Sequence, residues 1–424
     1  MGTVMHRRTM LKLSMAGVGG AMGGFHGVVS RAYAAPGAAD VKFLLVFLRG
    51  GYDAANVVIP VASAFYYEAR PTIAIPKPDT GDPHAALPLA REGETIHWGL
   101  HPVLKDSIYP LWQAGQVAFV TFAGSEDMSR SHFETQDRVE SGMPPASAGG
   151  ARRQYGSGFM NRLATSLGGA AAPVAFTDGL PIVMTGSVVV PNVSLKGTAR
   201  APFDDRQVAV LASMYAGTRF EHLIHEGFEL RKTVAGQAEM MTGGGTSGEM
   251  QAANRNAISA RGFALEAQRM AGLMRDKFNM AFIDVGGWDT HVNEGGAEGQ
   301  LTTLLGNLGQ GLAAFAEQMG PAWSKTVVVV ISEFGRTFRE NGTRGTDHGH
   351  GTVFWVLGGS VRGGRIAGDQ MPVERRTLNQ DRDWPVLNEY RALFGGLFTT
   401  VFGLDAARID RVFPGVAPRD IGLV

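Results

Sequence analysis

Val41-Lys42-Phe43-Leu44-Leu45-Val46-Phe47-Leu48 runs straight into Arg49-Gly50-Gly51-Tyr52-Asp53-Ala54-Ala55-Asn56. Eight residues of near-continuous apolar character read as a strand buried on both faces, the pattern of parallel sheets. A glycine pair then turns the chain and a carboxylate follows. The same grammar recurs along the sequence. Gln116–Phe122 leads to Gly124-Ser125-Glu126-Asp127-Met128-Ser129-Arg130-Ser131-His132, and Met280–Val285 leads to Gly286-Gly287-Trp288-Asp289-Thr290-His291. Thr326–Ile331 leads to Ser332-Glu333-Phe334-Gly335-Arg336-Thr337. A fifth apolar run, Val353–Leu357, follows a polar loop instead.

Helical periodicity separates these runs. Leu304, Leu305, Leu308, Leu312 and Phe315 repeat at helical spacing over Leu301–Met319, Pro102–Ala114 shows a shorter pattern, and Arg391–Leu404 reads as a final helix. Strands alternating with helices predict an α/β fold, a mostly parallel sheet sandwiched by helices. Asp204–Met241 and Gln251–Lys277 read as helices split by the glycine run 242–248, so a helical insertion is expected over about 202–278. The rest of 35–424 is expected to form a single domain.

In open α/β sheets ligands bind outside the carboxyl ends of the strands. Asp53, Ser131, Asp289, His291 and Glu333 are therefore expected on one edge. Gly345-Thr346-Asp347-His348-Gly349-His350-Gly351 adds one carboxylate and two imidazoles within four residues. Asp and His supply the oxygen and nitrogen donors that divalent cations take. Two routes bring this loop to the same edge, a fold back over the sheet or an antiparallel strand after it, and the fold back is the one expected.

Composition narrows the function. The chain has 424 residues, with Lys+Arg and Asp+Glu both 39, and zero net charge argues against a nucleic-acid partner held by bulk charge. There is no cysteine, which excludes thiolate metal sites, cysteine nucleophiles and disulfides. Residues 1–34 carry Arg7-Arg8, a weakly apolar Gly/Ala-rich run and Ala32-Tyr33-Ala34, and read as a twin-arginine signal. The expectation is export to the periplasm or beyond through the twin-arginine machinery. The glycine-broken run is too poor a span for a stable membrane anchor.

Phe47-Leu-Arg-Gly-Gly-Tyr-Asp53-Ala-Ala-Asn56, Arg130-Ser131-His132-Phe133-Glu134-Thr135-Gln136-Asp137, Gly287-Trp-Asp289-Thr-His291, Ser332-Glu333-Phe-Gly-Arg336-Thr and Asp347-His348 together resemble the exported domain-of-unknown-function 1501 family, within the alkaline phosphatase and sulfatase-like superfamily. The resemblance spans roughly the whole chain after residue 34. It implies a two-metal site at the carboxyl edge, with Asp53 as a first metal-binding carboxylate, Ser131 at the nucleophile position, and Asp289 with His291 as a metal-binding pair. Glu333-Phe334 stands where the superfamily has Asp-His, so His348 or His350 is expected to supply the missing imidazole beside Asp347. Arg130 or Arg336 would stabilise developing negative charge. Zn, Mn and Ca all suit carboxylate with imidazole, and no organic cofactor is expected.

Structural readings stand beside these. Ser131-x-x-Glu134 fits a helix capping box, Asp289 fits an N-cap, Asp53 a turn, and Glu333 with Arg336 a surface ion pair. Three functions follow: a metal-dependent hydrolase of anionic phosphate or sulfate esters, small molecule or glycan; a non-catalytic exported binding or structural protein on the same scaffold; and, last, an oxidoreductase, which the lack of cysteine and of a GxGxxG motif disfavours.

Overall fold

The computed structural model describes residues 39–144, 156–195 and 254–424, with Gly37 and a few residues between 210 and 221. Its centre is a sheet of seven principal strands: β1 (Lys42–Leu48), β2 (Val117–Gly124), β3 (Pro173–Ala175), β4 (Met280–Gly286), β5 (Thr326–Ser332), β6 (Thr352–Leu357) and β7 (Arg365–Ala367). Their order is β7-β2-β6-β5-β1-β4-β3, and the two-residue strands Asn388–Glu389 and Ile258–Ser259 add to β2 and β4.

β1 sits in the middle, parallel to β4 on one side and β5 on the other. That explains its unbroken apolar run, because both faces are covered. Leu44, Val46 and Leu48 enter one core with Phe263, Met270, Leu305, Leu308 and Leu312, from α3 (Ala260–Asp276) and α4 (Gln300–Met319). Phe43, Leu45 and Phe47 enter the other, with Phe159 and Leu163 of α2 (Phe159–Leu167) and Phe394 and Phe398 of α5 (Tyr390–Phe402). Phe43 packs edge-to-face on Phe398 at 5.3 Å. Burying each such side chain contributes about 1.5–3 kcal/mol.

β6 is antiparallel to both neighbours, with Trp355 opposite Val330 of β5 and Phe119 of β2. This settles how the Asp-His-Gly-His loop reaches the site. The chain leaves β5 at its carboxyl end and re-enters the sheet at that same edge. The route observed is therefore the antiparallel strand and not the expected fold back, and the Phe334–Gly351 loop needs no return across the sheet.

The helix expected over Pro102–Ala114 divides into a short 3-10 turn, Pro102–Leu104, and a helix, Ile108–Gln113. Pro110 has no N–H to offer Asp106, so it suits the first turn of a new helix but not the middle of a continuous one. Near the end of the expected insertion, Ala260–Asp276 is a helix packed on α4 and the sheet. The signal at 1–34, the glycine run 242–248 and most of Asp204–Met241 lie outside the described residues. Among the described residues no helix is long and apolar enough to cross a membrane.

Candidate metal centre

The carboxyl ends of β1, β2, β4 and β5 meet where α1 (His132–Ser141) begins. The turn after β1 passes very close to the turn after β4. Gly50 has φ +125°, and a β-carbon there would lie 2.6 Å from the Asp289 amide nitrogen. Only glycine permits this approach. The Gly50 N–H donates to Glu333 Oε1 at 2.8 Å, locking the β1 turn to the end of β5. The later loop is a narrow ladder: Thr337 N–H donates to Asp347 O and Gly349 N–H to Gly335 O, both at 2.8 Å. Arg336 and His348 face each other across it. A β-carbon on Gly349 would lie 2.3 Å from the Arg336 carbonyl oxygen, so this glycine too is required by close approach.

The centre itself is one carboxylate oxygen ringed by imidazoles. Asp289 Oδ1 lies 2.9 Å from His291 Nε2, 3.3 Å from His348 Nε2 and 3.4 Å from His132 Nε2. His291 Nε2 and His348 Nε2 are 3.1 Å apart. His132, Asp289 and His348 offer three donor atoms within 4.8 Å of one another, the candidate metal group found among the described residues.

Each imidazole has an oxygen at its other nitrogen. His132 Nδ1 is 2.8 Å from Glu333 Oε1, His348 Nδ1 is 3.0 Å from the Arg130 carbonyl, and His291 Nδ1 is 3.4 Å from Asp347 Oδ1. An acceptor at Nδ1 assigns the proton there, which leaves the Nε2 lone pair of each neutral ring aimed inward. The His132 Nε2 atom is buried and has no hydrogen-bond partner. Lone pairs converging on a carboxylate oxygen repel unless a proton or a cation sits among them. The residues therefore fit a divalent metal, on an orphaned buried nitrogen and on the donor chemistry.

Without a metal, protons do this work. Burial alone would lower the His132 imidazolium, but the hydrogen bonds and charges of Asp289 and Glu333 outweigh it and raise His132 to about 9. Burial alone would raise Glu333, yet His132 and the Gln136 amide bring it down to about 2. Burial likewise opposes ionisation of Asp289, and the three imidazoles with Arg336 drive it far below the carboxylate range. His348 is lowered, chiefly by burial.

Several expected site residues lie elsewhere or act differently. Asp53 is 1% exposed and forms a two-pronged ion pair with Arg70, Nη1 to Oδ2 at 2.5 Å and Nη2 to Oδ1 at 2.9 Å. Both its oxygens are engaged, so it does not join the cluster as a ligand. Glu333 Oε1 accepts from Gly50 N–H, His132 and Gln136 Nε2, and Oε2 accepts from Ser332 Oγ at 2.9 Å, so its oxygens also face protein donors. His350 is buried beside Asp127, Arg130 and Asp383, away from Asp289. Asp347 is half exposed and stands behind His291. It also accepts from Asn341 at 3.1 Å. The two-metal arrangement implied by the resemblance is thus not assembled.

Arg336 is fully buried, not a surface ion pair. Its guanidinium donates to the carbonyls of Gly50, Gly51, Trp288 and Thr346 and to Asp289 Oδ1, the last at 2.5 Å. It ties three loops together and holds Asp289. The Arg130 guanidinium bonds Asp383 at 2.9–3.0 Å, and it is the Arg130 backbone carbonyl that reaches the centre. Ser131 is the N-cap residue of α1 but makes no side-chain capping bond, so the capping box is not formed.

His132 is the ligand candidate that sequence reasoning missed, although it sits inside the Arg130–Asp137 motif. A signal was present. The first residue of a helix that opens one short loop after a strand's carboxyl end is delivered to the ligand edge. Phe334, where an imidazole was missing, packs against two of them, with ring centroids 5.0 Å from both His132 and His348.

Solved structures align with most of this chain at low similarity. A protein of the alkaline phosphatase superfamily from Vibrio parahaemolyticus aligns over 90% of this chain and 69% of its own, at 12% identity and TM-score 0.41. The lipoteichoic acid synthase LtaP from Listeria monocytogenes aligns over 91% and 76%, at 10% and 0.34. The phosphonate monoester hydrolase of Agrobacterium radiobacter aligns over 85% and 73%, at 11% and 0.34. Among curated proteins none matches. Residues 41–413 match the family model described as Protein of unknown function (DUF1501), and the chain belongs to that family.

Proposed function

We propose that the chain is a metal-dependent hydrolase of phosphate or sulfate esters, working with one divalent cation at its candidate centre. The observation that carries this is the convergence of the Nε2 atoms of His132, His291 and His348 on Asp289 Oδ1, each ring backed by an oxygen at Nδ1. Imidazole-rich sets suit zinc and its transition-metal neighbours, whereas calcium takes six to eight oxygens, so calcium drops from the three expected ions and zinc leads. A cation bound there supplies Lewis acidity toward an ester oxygen and lowers the pKa of a hydroxyl beside it.

The chain's own groups do the rest. Ser131 directly precedes the ligand candidate His132 and spends no side-chain bond on capping its helix, which leaves its hydroxyl for attack on phosphorus or sulfur. The alcohol departs, and water then cleaves the serine ester. The N-terminus of α1, a ten-residue helix, presents N–H groups and a positive field suited to an anionic ester. Arg336 keeps Asp289 ionised and in place.

A screen of aryl phosphates and aryl sulfates with zinc-loaded protein tests this. Ser131→Ala is expected to lower turnover at least about a thousandfold with zinc content unchanged. Undiminished turnover would remove Ser131 from the role. A chain that takes up no zinc when it is offered and turns over no ester would favour a binding or structural protein on the same scaffold. We propose in addition that residues 1–34 direct export by the twin-arginine route. Arg7→Lys with Arg8→Lys is expected to leave the protein in the cytoplasm, and normal appearance in the periplasm would refute the route.

A further inference from the structure

Glu333 occupies the end of β5, where a ligand was expected, and its contacts point to a different task. Its Oε1 receives His132 Nδ1 at 2.8 Å, Gln136 Nε2 at 2.9 Å and Gly50 N–H at 2.8 Å. Its Oε2 receives Ser332 Oγ at 2.9 Å. Gln136 lies one turn along α1 from His132, and its side-chain Oε1 accepts from Arg49 Nη1 at 2.9 Å. Arg49 is itself fixed, by Asp284 at 2.6 Å and Glu140 at 2.9 Å. Arg49, Gln136 and Glu333 are all 1% exposed or less. A chain of buried, directional bonds therefore runs from the middle of the sheet edge to the back of the His132 ring.

We infer that Glu333 is a positioning residue, not a metal ligand: braced by Gln136 and Arg49, it holds the His132 proton on Nδ1 and aims the Nε2 lone pair at the Asp289 site. This rests on the metal reading above and sharpens it. The arrangement makes the centre mononuclear, because the strand-end carboxylate that would serve a second ion is spent on orienting a ligand to the first. The same contact makes physical sense of Glu in place of Asp. The longer side chain reaches past the strand end to the ring of a residue on the neighbouring helix. A carboxylate behind a ligating imidazole raises its basicity and fixes its orientation, and loss of such a group costs about 10–100-fold in metal affinity.

The test is a titration of the full-length chain with Zn(II) under chelator competition. Wild-type protein is expected to bind one zinc ion per chain. Glu333→Gln, which keeps an acceptor but loses the charge, is expected to bind one as well, about 10–100-fold more weakly. Histidine ¹⁵N spectra supply a second readout. The His132 ring, identified by the resonance missing in His132→Asn, should be protonated at Nδ1 in wild type and lose that uniform state in Glu333→Gln. A stoichiometry that falls by one ion in Glu333→Gln would make Glu333 a ligand and overturn the inference. Unchanged affinity with an unchanged His132 spectrum would overturn it too. If Glu333→Gln does not fold, Gln136→Leu carries the test: it keeps the carboxylate and removes its brace, and about tenfold weaker zinc binding is expected, against no change if the relay is idle. Wild-type protein that takes up no zinc defeats the metal reading itself, and it does so before any variant is compared.

Discussion

Asp289→Ala should abolish zinc retention and destabilise the metal-stripped protein by about 3–5 kcal/mol. The first effect follows from position. Asp289 Oδ1 is the atom on which His132, His291 and His348 converge, and Asp289 is the one carboxylate in the candidate metal group found among the described residues. The second follows from what remains. The Arg336 guanidinium is fully buried, and Asp289 is its one carboxylate partner among the described residues. Four backbone carbonyls would still accept its N–H groups, but the charge would be uncompensated in a low-dielectric site. Comparing metal-stripped proteins by urea denaturation separates this loss from stability lent by a bound ion. Asp289→Asn divides the two roles. It keeps an oxygen for Arg336 and much of the fold, yet its neutral amide should hold zinc far more weakly. Asp289→Ala that keeps one zinc ion, or stays within about 1 kcal/mol of wild type, contradicts the assignment.

Much of the fold was legible because parallel strands advertise themselves. Val41–Leu48, Thr326–Ile331 and Met280–Val285 are short, apolar and punctuated by glycine, and each lies within a residue or so of the observed strand. The direction of β6 was not legible. Thr352–Leu357 is as apolar as its parallel neighbours, and direction is set by which edge the preceding loop occupies, a tertiary fact. For the site, the strand ends pointed to Asp289 and His291, which the structure brings within 2.9 Å of each other. Local patterning cannot say whether a buried carboxylate meets a cation from solvent or a guanidinium from its own chain. Asp53 and Glu333 share with Asp289 the same address after a strand, and only long-range partners, Arg70 for one and His132 with Gln136 for the other, distinguish their tasks.

Asp53 supplies the sharpest contrast with the metal arrangement that its sequence context suggests. Asp53→Ala should destabilise the protein by about 3 kcal/mol or more while leaving zinc stoichiometry and affinity unchanged at temperatures where the variant is folded. Arg70 is fully buried, and its remaining acceptors, the Phe338 and Thr337 carbonyls and the Asn56 side chain, carry no charge. Glu294 moderates the loss. It is fully buried, and burial together with the Asp53 charge holds its carboxyl well above the usual range. With Asp53 gone, one of these two causes disappears, and Glu294 can ionise toward Arg70 and restore part of the compensation. The cost should therefore fall at the low end of the range for a broken buried pair. Removing both charges tests the origin of the effect. Asp53→Leu with Arg70→Met replaces the pair by apolar groups and should recover most of the lost stability, since a well-packed hydrophobic substitute for a buried ion pair is often neutral. Urea denaturation of the single and double variants, read beside a zinc titration of each, decides the matter. If Asp53→Ala loses its zinc while retaining wild-type stability, Asp53 is a ligand and the Arg70 pair is incidental.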